Sequence, residues 1–449
     1  MMNELFAKEY SRRRFSQKLL GLLGALPLAQ LALPFLEGQT SSTLAARNPT
    51  KSLVSPEDGE FLNELEKATV QYFWEQSSPK TGLVKDRGNT HTTDTGIVAS
   101  IAATGFGLTA MCIADKRGFI PRADALDRVI VTMRSLWSKL PNHRGFFYHW
   151  ANVNTGERVW DAEVSSVDTA LLMCGVLTCR EHFASDEVEE LANNIFDRIE
   201  WTWLSEDTTL LTHGWTPEFG FLPYRWDNYS ELMMMYLMGL GSTAYPLRQD
   251  AWTAWKRLKF EYEGQRYIGS FAPLFIHQYS QAWFDFRGKR DTYADYFENS
   301  VIATQVHRQF CLELGKQFPD YSDDLWGITA SDSAHGYVIW GGPPETGPID
   351  GTVSPSASAG SLPFLPQAVM RVLRNIKERY PAAWTKYGFV NAFNPLTNWY
   401  DTDVIGIDTG ITLIMAENAR TGFVWNTFMK SEEAQRGMER AGFRRYDGR

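Results

Sequence analysis

Basic charge is in short supply in this chain. Its 449 residues carry 44 Lys and Arg against 53 Asp and Glu, a formal net charge of −9. That balance excludes the basic stripe a nucleic-acid backbone demands. Cysteine is scarcer still. Cys112, Cys174, Cys179 and Cys311 all lie in apolar helical patterns and none has zinc-ligand spacing. Cys174 and Cys179, five residues apart on a helix, point to different faces; buried free thiols are expected, with a long-range disulfide as the alternative. The eight His form no His-Glu-x-x-His pair and no calcium-loop pattern is visible, so no metal site is expected. There is no Gly-x-Ser-x-Gly elbow, no phosphate-binding P-loop and no βαβ alternation. Gly105-Phe106-Gly107 matches a dinucleotide fingerprint in letters only. It sits inside a helical pattern with no strand before it, so tight helix packing explains it and no cofactor is expected.

What the chain has in excess is aromatic surface: 14% Phe, Trp and Tyr, with 16 Trp. Many of these Trp stand beside Gly, Pro, Asp and Asn rather than in apolar runs. A Trp on a loop offers a large rigid face and one N–H donor, which suits flat amphipathic ligands. The N-terminus carries Arg12-Arg13-Arg14 before the apolar run Leu19 to Leu36. This is the pattern of a twin-arginine export signal, with cleavage between Gly38 and Ala46. Pro27, Gln30 and Pro34 interrupt the run and make it a poor membrane span. The expected organisation is a signal and the start of a linker over 1–46, linker over 47–57, and one domain over 58–449, delivered to the periplasm or beyond. The sequence is silent on oligomeric state.

Helical periodicity dominates after the linker. It predicts helices near 58–76, 94–116, 122–140, 163–182, 186–204, 229–241, 246–260, 273–287, 289–317, 361–380, 408–420 and 430–441, with short strands near 146–150, 266–270 and 337–340. Two kinds of helix alternate. "TGIVASIAATGFGLTAMC" and "SELMMMYLMGLGS" are apolar all round and read as inner helices, whereas "RADALDRVIVTMRSLWSKL" and "SDEVEELANNIFDRIEW" are amphipathic and read as outer ones. Six of each make an all-α (α/α)6 barrel; no fixed repeat period favours a solenoid. Inner-to-outer connections are short. Outer-to-inner ones are long (77–93, 141–162, 205–228, 261–272, 318–360, 381–407) and all emerge at one end, where function is expected.

Those long loops carry carboxylates among aromatics: Trp160, Asp161, Glu163 and Asp168; Trp226, Asp227, Tyr229 and Glu231; Trp326 and Asp332; Asp350; and Trp399, Asp401, Asp403 and Asp408. Glycoside hydrolysis needs these parts, one carboxylic acid to protonate the leaving oxygen and a second carboxylate to activate water or attack the sugar. Glu231, at the mouth of an apolar helix beside Trp226 and Tyr229, is the leading acid candidate, with Glu163, Asp168, Asp161 and Asp403 as further catalytic candidates. Asp161 also reads as the N-cap of a helix starting near Ala162, and Glu163 as a first-turn residue. Asp86 and Arg87 read as an ion pair or a sugar clamp, and Asp350 as a turn residue. Trp160, Trp215, Trp226, Tyr229, Trp326, Tyr337, Trp340 and Trp399 are the candidate sugar-stacking faces, with Asp332 bonding a hydroxyl.

Seven ordered blocks, among them "TGLVKDR", "EVSSVDTALLMCGVL", "YSELMMMYLMGLGS", "WGITASDSAHGY" and "GIDTGITLIMAENARTGFVW", resemble the bacterial glycoamylase-like domain. That group includes glycoside hydrolase family 144, the endo-β-1,2-glucanases. The resemblance runs from about Gly59 to Gly442. It implies an (α/α)6 barrel, no cofactor, β-1,2-glucan or sophoro-oligosaccharides as substrate and inverting hydrolysis. It carries functional weight onto Glu163 and Asp168 in the "EVSSVD" block and Glu231 in the "YSEL" block. The resulting expectation is an endo-acting β-1,2-glucan hydrolase. An exo-acting sophorose- or glucose-releasing enzyme and a noncatalytic glucan-binding protein are the alternatives; the number of acids at one end speaks against the last.

Overall fold

The protein is seen here as a computed structural model that describes residues 52–271, 273–343 and 347–446. The expected export signal and the linker up to residue 51 therefore lie outside the described residues. Among the described residues there are fourteen α-helices: α1 (Pro56–Glu75), α2 (Ile101–Arg117), α3 (Arg122–Ser138), α4 (Ser166–His182), α5 (Asp186–Asp197), α6 (Met233–Gly241), α7 (Ala251–Ala254), α8 (Tyr279–Trp283), α9 (Tyr296–Leu314), α10 (Pro355–Ala359), α11 (Pro366–Arg379), α12 (Gly406–Thr421), α13 (Phe423–Phe428) and α14 (Glu432–Arg440). None is long and apolar enough to cross a membrane.

The two kinds of helix separate as their composition demands. In α2 every residue from Ile101 to Ala114 is buried, and α6 and α12 are buried almost throughout. In α3, α5 and α11 only one stripe is buried. The buried helices form a closed sequence of neighbours. Helix α12 packs on α2, α2 on α4 and α4 on α6. Ser280 Oγ of α8 accepts from the Met234 amide of α6, and Gln278, just ahead of α8, donates to the Ala357 carbonyl of α10. Helix α10 returns to α12. Outside them, α1 lies on α2 and α12, α3 on α2 and α5, and α11 on α10.

Helices α2 and α4 approach each other very closely. A Cβ on Gly105 would stand 2.3 Å from the Leu171 carbonyl oxygen, and one on Gly175 would stand 2.1 Å from that of Gly105. Glycine at both positions lets the two backbones touch. The Gly105-Phe106-Gly107 motif is thus a packing device.

Several expected helices are shorter in the structure. The 94–116 helix begins at Ile101, because Val98–Ser100 pairs as a strand with Trp150–Asn152 and Ser100 then caps the helix. The segment expected as helix 246–260 is the short α7 followed by a strand. Leu258–Tyr262 alternates in exposure and folds back on Gln265–Gly269 through Glu263 and Gly264, both at positive φ. Asp295 caps α9, which starts at Tyr296, seven residues after the expected start at 289. Short α10 and α13 had no counterpart in the sequence reading.

The long connections stand together at the N-terminal end of the buried helices, and neighbours are joined around the whole circuit. Arg87–Asn89 pairs with Asp403–Ile405, Val98–Ser100 with Trp150–Asn152, and Val164–Ser165 with Gly214–Thr216. Asn228 bridges to Lys256, the Tyr267 hydroxyl donates to the Pro343 carbonyl, and Val353 bridges to Phe393. Each join satisfies backbone groups that a loop would otherwise leave to water, and together they hold the loop end rigid.

Candidate active site

Three groups of carboxylates gather at this end. The first is set by the start of α4. Ser165 caps the helix, accepting from the Asp168 amide and donating to Asp168 Oδ2 at 2.5 Å. This fixes the Asp168 carboxylate in the first turn, where the helix dipole favours negative charge. His149 stands between two acids, with Nδ1 3.3 Å from Glu163 Oε1 and Nε2 3.6 Å from Asp168 Oδ2. Its ring stacks on Trp150 at 3.9 Å. Both acids are buried.

The second group has a single acid, Glu231, which is half-buried just ahead of α6. Its carbonyl accepts from the Ser280 hydroxyl, fixing the backbone there. Trp226 donates from Nε1 to Ser166 Oγ and stacks on His213 at 4.0 Å. Burial lowers the pKa of His213 to about 4, so this stacked pair is neutral, and Trp226 is a buried core residue rather than a sugar-stacking face. Tyr229 is fully buried with its hydroxyl against His277 Nδ1 at 3.1 Å.

The third group is the densest. Arg87 Nη1 lies 2.6 Å from Asp332 Oδ2 and 3.6 Å from Asp403 Oδ2, and its Nε lies 3.5 Å from Asp86. Asp332 is buried, and its amide donates to Asn391 Oδ1, while Asn391 Nδ2 donates to Asp408 Oδ2. Asn89 donates to Asp403 Oδ1 at 2.8 Å. Carboxylate oxygens of Asp332, Asp401 and Asp403 lie within 4.8 Å of one another, and among the described residues this is the grouping close enough to share a cation. Arg87 already brings one positive charge to it. Burial, followed by the charges of Asp332 and Asp403, pushes Asp401 up to about 8. It is therefore neutral at pH 7, and the group carries fewer charges than its three carboxyls suggest.

The sequence candidates distribute unevenly over this geometry. Glu163 and Asp168 share one pocket with His149, and Arg87, Asp86, Asp332 and Asp403 share another. Asp161 is exposed at φ 50° and caps nothing, because α4 begins at Ser166, four residues beyond the expected start. Trp326 has no exposed surface and packs in an apolar cluster with Phe310 and Val353, so no sugar ring reaches it. Trp340 is buried too and spends its N–H on Ser331 Oγ, and Tyr229 is likewise a core residue. These three belong to the packing of the loop end. Trp215 is half-buried, stacked on His143 at 4.1 Å; Tyr337 and Trp399 are half-buried, and Trp160 is exposed. Asp350 accepts from the Thr352 amide in a turn. His149, Asn391 and the shifted Asp401 had no role in the sequence reading. Asp401 was legible only as one acid of "NWYDTDVIGID"; the other two are brought in by strand pairing and leave no local signal.

Helices in a closed sequence of neighbours, with carboxylates and aromatics gathered at one end, supply the parts that acid–base hydrolysis of a glycoside needs. Comparison with known proteins makes this specific. Residues 223–432 match the glycoamylase family model, whose description reads "Putative glucoamylase". A Bacteroides uniformis structure of the same description superposes with TM-score 0.81 at 29% identity, covering 86% of this chain and 98% of that one. The endo-β-1,2-glucanase from Chitinophaga pinensis, solved with sophorotriose and glucose, gives TM-score 0.81 at 26% identity over the same shares of the two chains. An exo-β-1,2-glucooligosaccharide sophorohydrolase of Parabacteroides distasonis is 27% identical over 425 residues, 85% of this chain. This chain spans 58% of that relative's length. Over residues 223–432 the chain is similar to the glycoamylase family model, and over most of its length it is similar to β-1,2-glucanases and a sophorohydrolase.

Proposed function

We propose that this protein hydrolyses β-1,2-glucan and sophoro-oligosaccharides, acting within the chain and with inversion, on an (α/α)6 barrel that residues 58–449 form as one domain. The observation that carries the reading is the gathering of three carboxylate groups at the loop end of the fold, in a family whose relatives act on β-1,2-glucans. Glu231 serves as general acid. Asp403 is the carboxylate that activates water: Asp401 beside it is neutral and Asp332 is tied to Arg87, whereas Asp403 keeps 18% side-chain exposure. Arg87 and Asn89 hold it in place. Glu163 and Asp168, joined by His149, position sugar hydroxyls. No step requires a cofactor. Export by the twin-arginine route places the enzyme in the periplasm or outside the cell, where such glucans would meet it.

The exo-acting reading has one specific support, the sophorohydrolase among the relatives. Product analysis on linear β-1,2-glucan separates the two. A ladder of sophoro-oligosaccharides from the first minutes supports endo action; sophorose alone supports exo action. No release of either from glucan would overturn the substrate assignment.

A further inference from the structure

Two aromatic side chains on adjoining loops stay out in solvent at the same end as the acids. Phe219, at the tip of the turn between Gly214–Thr216 and Gly220–Phe221, is 89% exposed, the most exposed large apolar side chain among the described residues. Trp160 is 39% exposed and held at φ 58°. A bulky non-glycine residue at positive φ is strained, and such strain persists where the surroundings impose it. Between the two runs a bidentate ion pair, Arg158 to Glu218, at 2.6 and 2.9 Å. Arg158 also donates to the Ala162 carbonyl and lies over Tyr148, so this bridge fixes one loop tip against the other.

The feature leads inward. Trp160 meets Trp150 edge-on at 6.0 Å, Trp150 stacks on His149, and His149 contacts Glu163 and Asp168. We infer that Trp160 and Phe219 form a sugar platform outside the catalytic pocket, which takes the distal glucosyl units of a long chain. The inference rests on the proposed glucan substrate and deepens it. Separate aromatic faces beside a fixed guanidinium–carboxylate pair suit pyranose rings, with stacking on the C–H faces and donors and acceptors for the hydroxyls. The core of a protein–protein contact is instead depleted of charge.

The test uses the full-length enzyme and pure β-1,2-glucans of defined length. Phe219→Ala, exposed and without a packing role, is expected to raise KM on chains of ten or more units about three- to tenfold, the scale of one aromatic stacking contact. It leaves kcat and the kinetics on a trisaccharide unchanged. Adding Trp160→Ala deepens the loss on long chains, and thermal melting of Phe219→Ala matches the wild type. Equal effects on long and short chains, or none on either, overturn the platform. A change from dimer to monomer in Phe219→Ala also overturns it and assigns the face to a second copy. Failure of the wild type to cleave β-1,2-glucan at all is a different outcome, and rejects the substrate rather than the platform.

Discussion

Asp401 sets the charge of the cluster around it. With its pKa near 8 it holds a proton at pH 7, and above that pH a third negative charge appears beside Asp332 and Asp403. Arg87 must then be shared among three anions of the cluster instead of two, and its hold on Asp403 loosens. The kcat/KM profile should therefore fall on the alkaline side with a midpoint near 8. In Asp401→Asn that limb should disappear while activity at pH 7 stays within severalfold; an unchanged limb assigns the titration elsewhere. Because Arg87 supplies the cluster's positive charge, dialysis against a chelator should leave activity intact. A loss reversed by a divalent ion would show that the three carboxyls hold a cation. For the general acid, Glu231→Gln should fold normally and lower the rate by about 10²–10⁴-fold. Activity within a few-fold of wild type would move the role to Glu163.

Among the elements, the contact between α2 and α4 leaves no room for a side chain. Gly175→Ala would place a methyl 2.1 Å from the Gly105 carbonyl oxygen, and backbone cannot rotate away as a side chain can. Stability should fall by at least about 1–3 kcal/mol, the usual cost of overpacking, read as a lower denaturation midpoint. An unchanged midpoint would mean the helices separate freely. This contact was legible in the sequence as Gly105-Phe106-Gly107 within an apolar run, because helical periodicity is a local signal. So were α1, α3 and α5, each with one apolar face. The strand at Leu258–Tyr262 was not: its alternation is short, and the pairing with Gln265–Gly269 depends on a turn. Trp326 was misjudged for a related reason. A Trp among Ser, Asp and Gly looks like a ligand face, but here the polar neighbours form the strand Ala330–Ser333 while the indole fills the core beneath. Local composition identified the loop end correctly, and only tertiary packing decides which of its aromatics face out.

At the scale of the molecule, the carboxylate clusters of the loop end are separate from a buried knot of charge on the helices. In the knot, Glu66 of α1 meets Arg420 and Glu417 of α12 and Arg117 of α2, tying the first outer helix to two buried ones. Glu66 has no exposed surface. Burial first, then the charge of Glu417, push it up to about 8, against the opposing pull of the two arginines. The folded protein thus binds a proton that the unfolded chain, with an ordinary carboxyl near 4.5, releases between pH 4.5 and 8. Where the native state holds more protons than the unfolded one, stability declines as pH rises. The contribution is complete below about pH 4.5, is lost progressively toward 8, and changes no further above it. Glu66→Gln keeps the shape and removes the titration. Its melting temperature, compared with that of the wild type from pH 5 to 8.5, should lack this downward component. Parallel curves for the two proteins would show that the arginines keep Glu66 ionised throughout. The kinetic limb assigned to Asp401 should survive in Glu66→Gln, because the two titrations belong to different clusters.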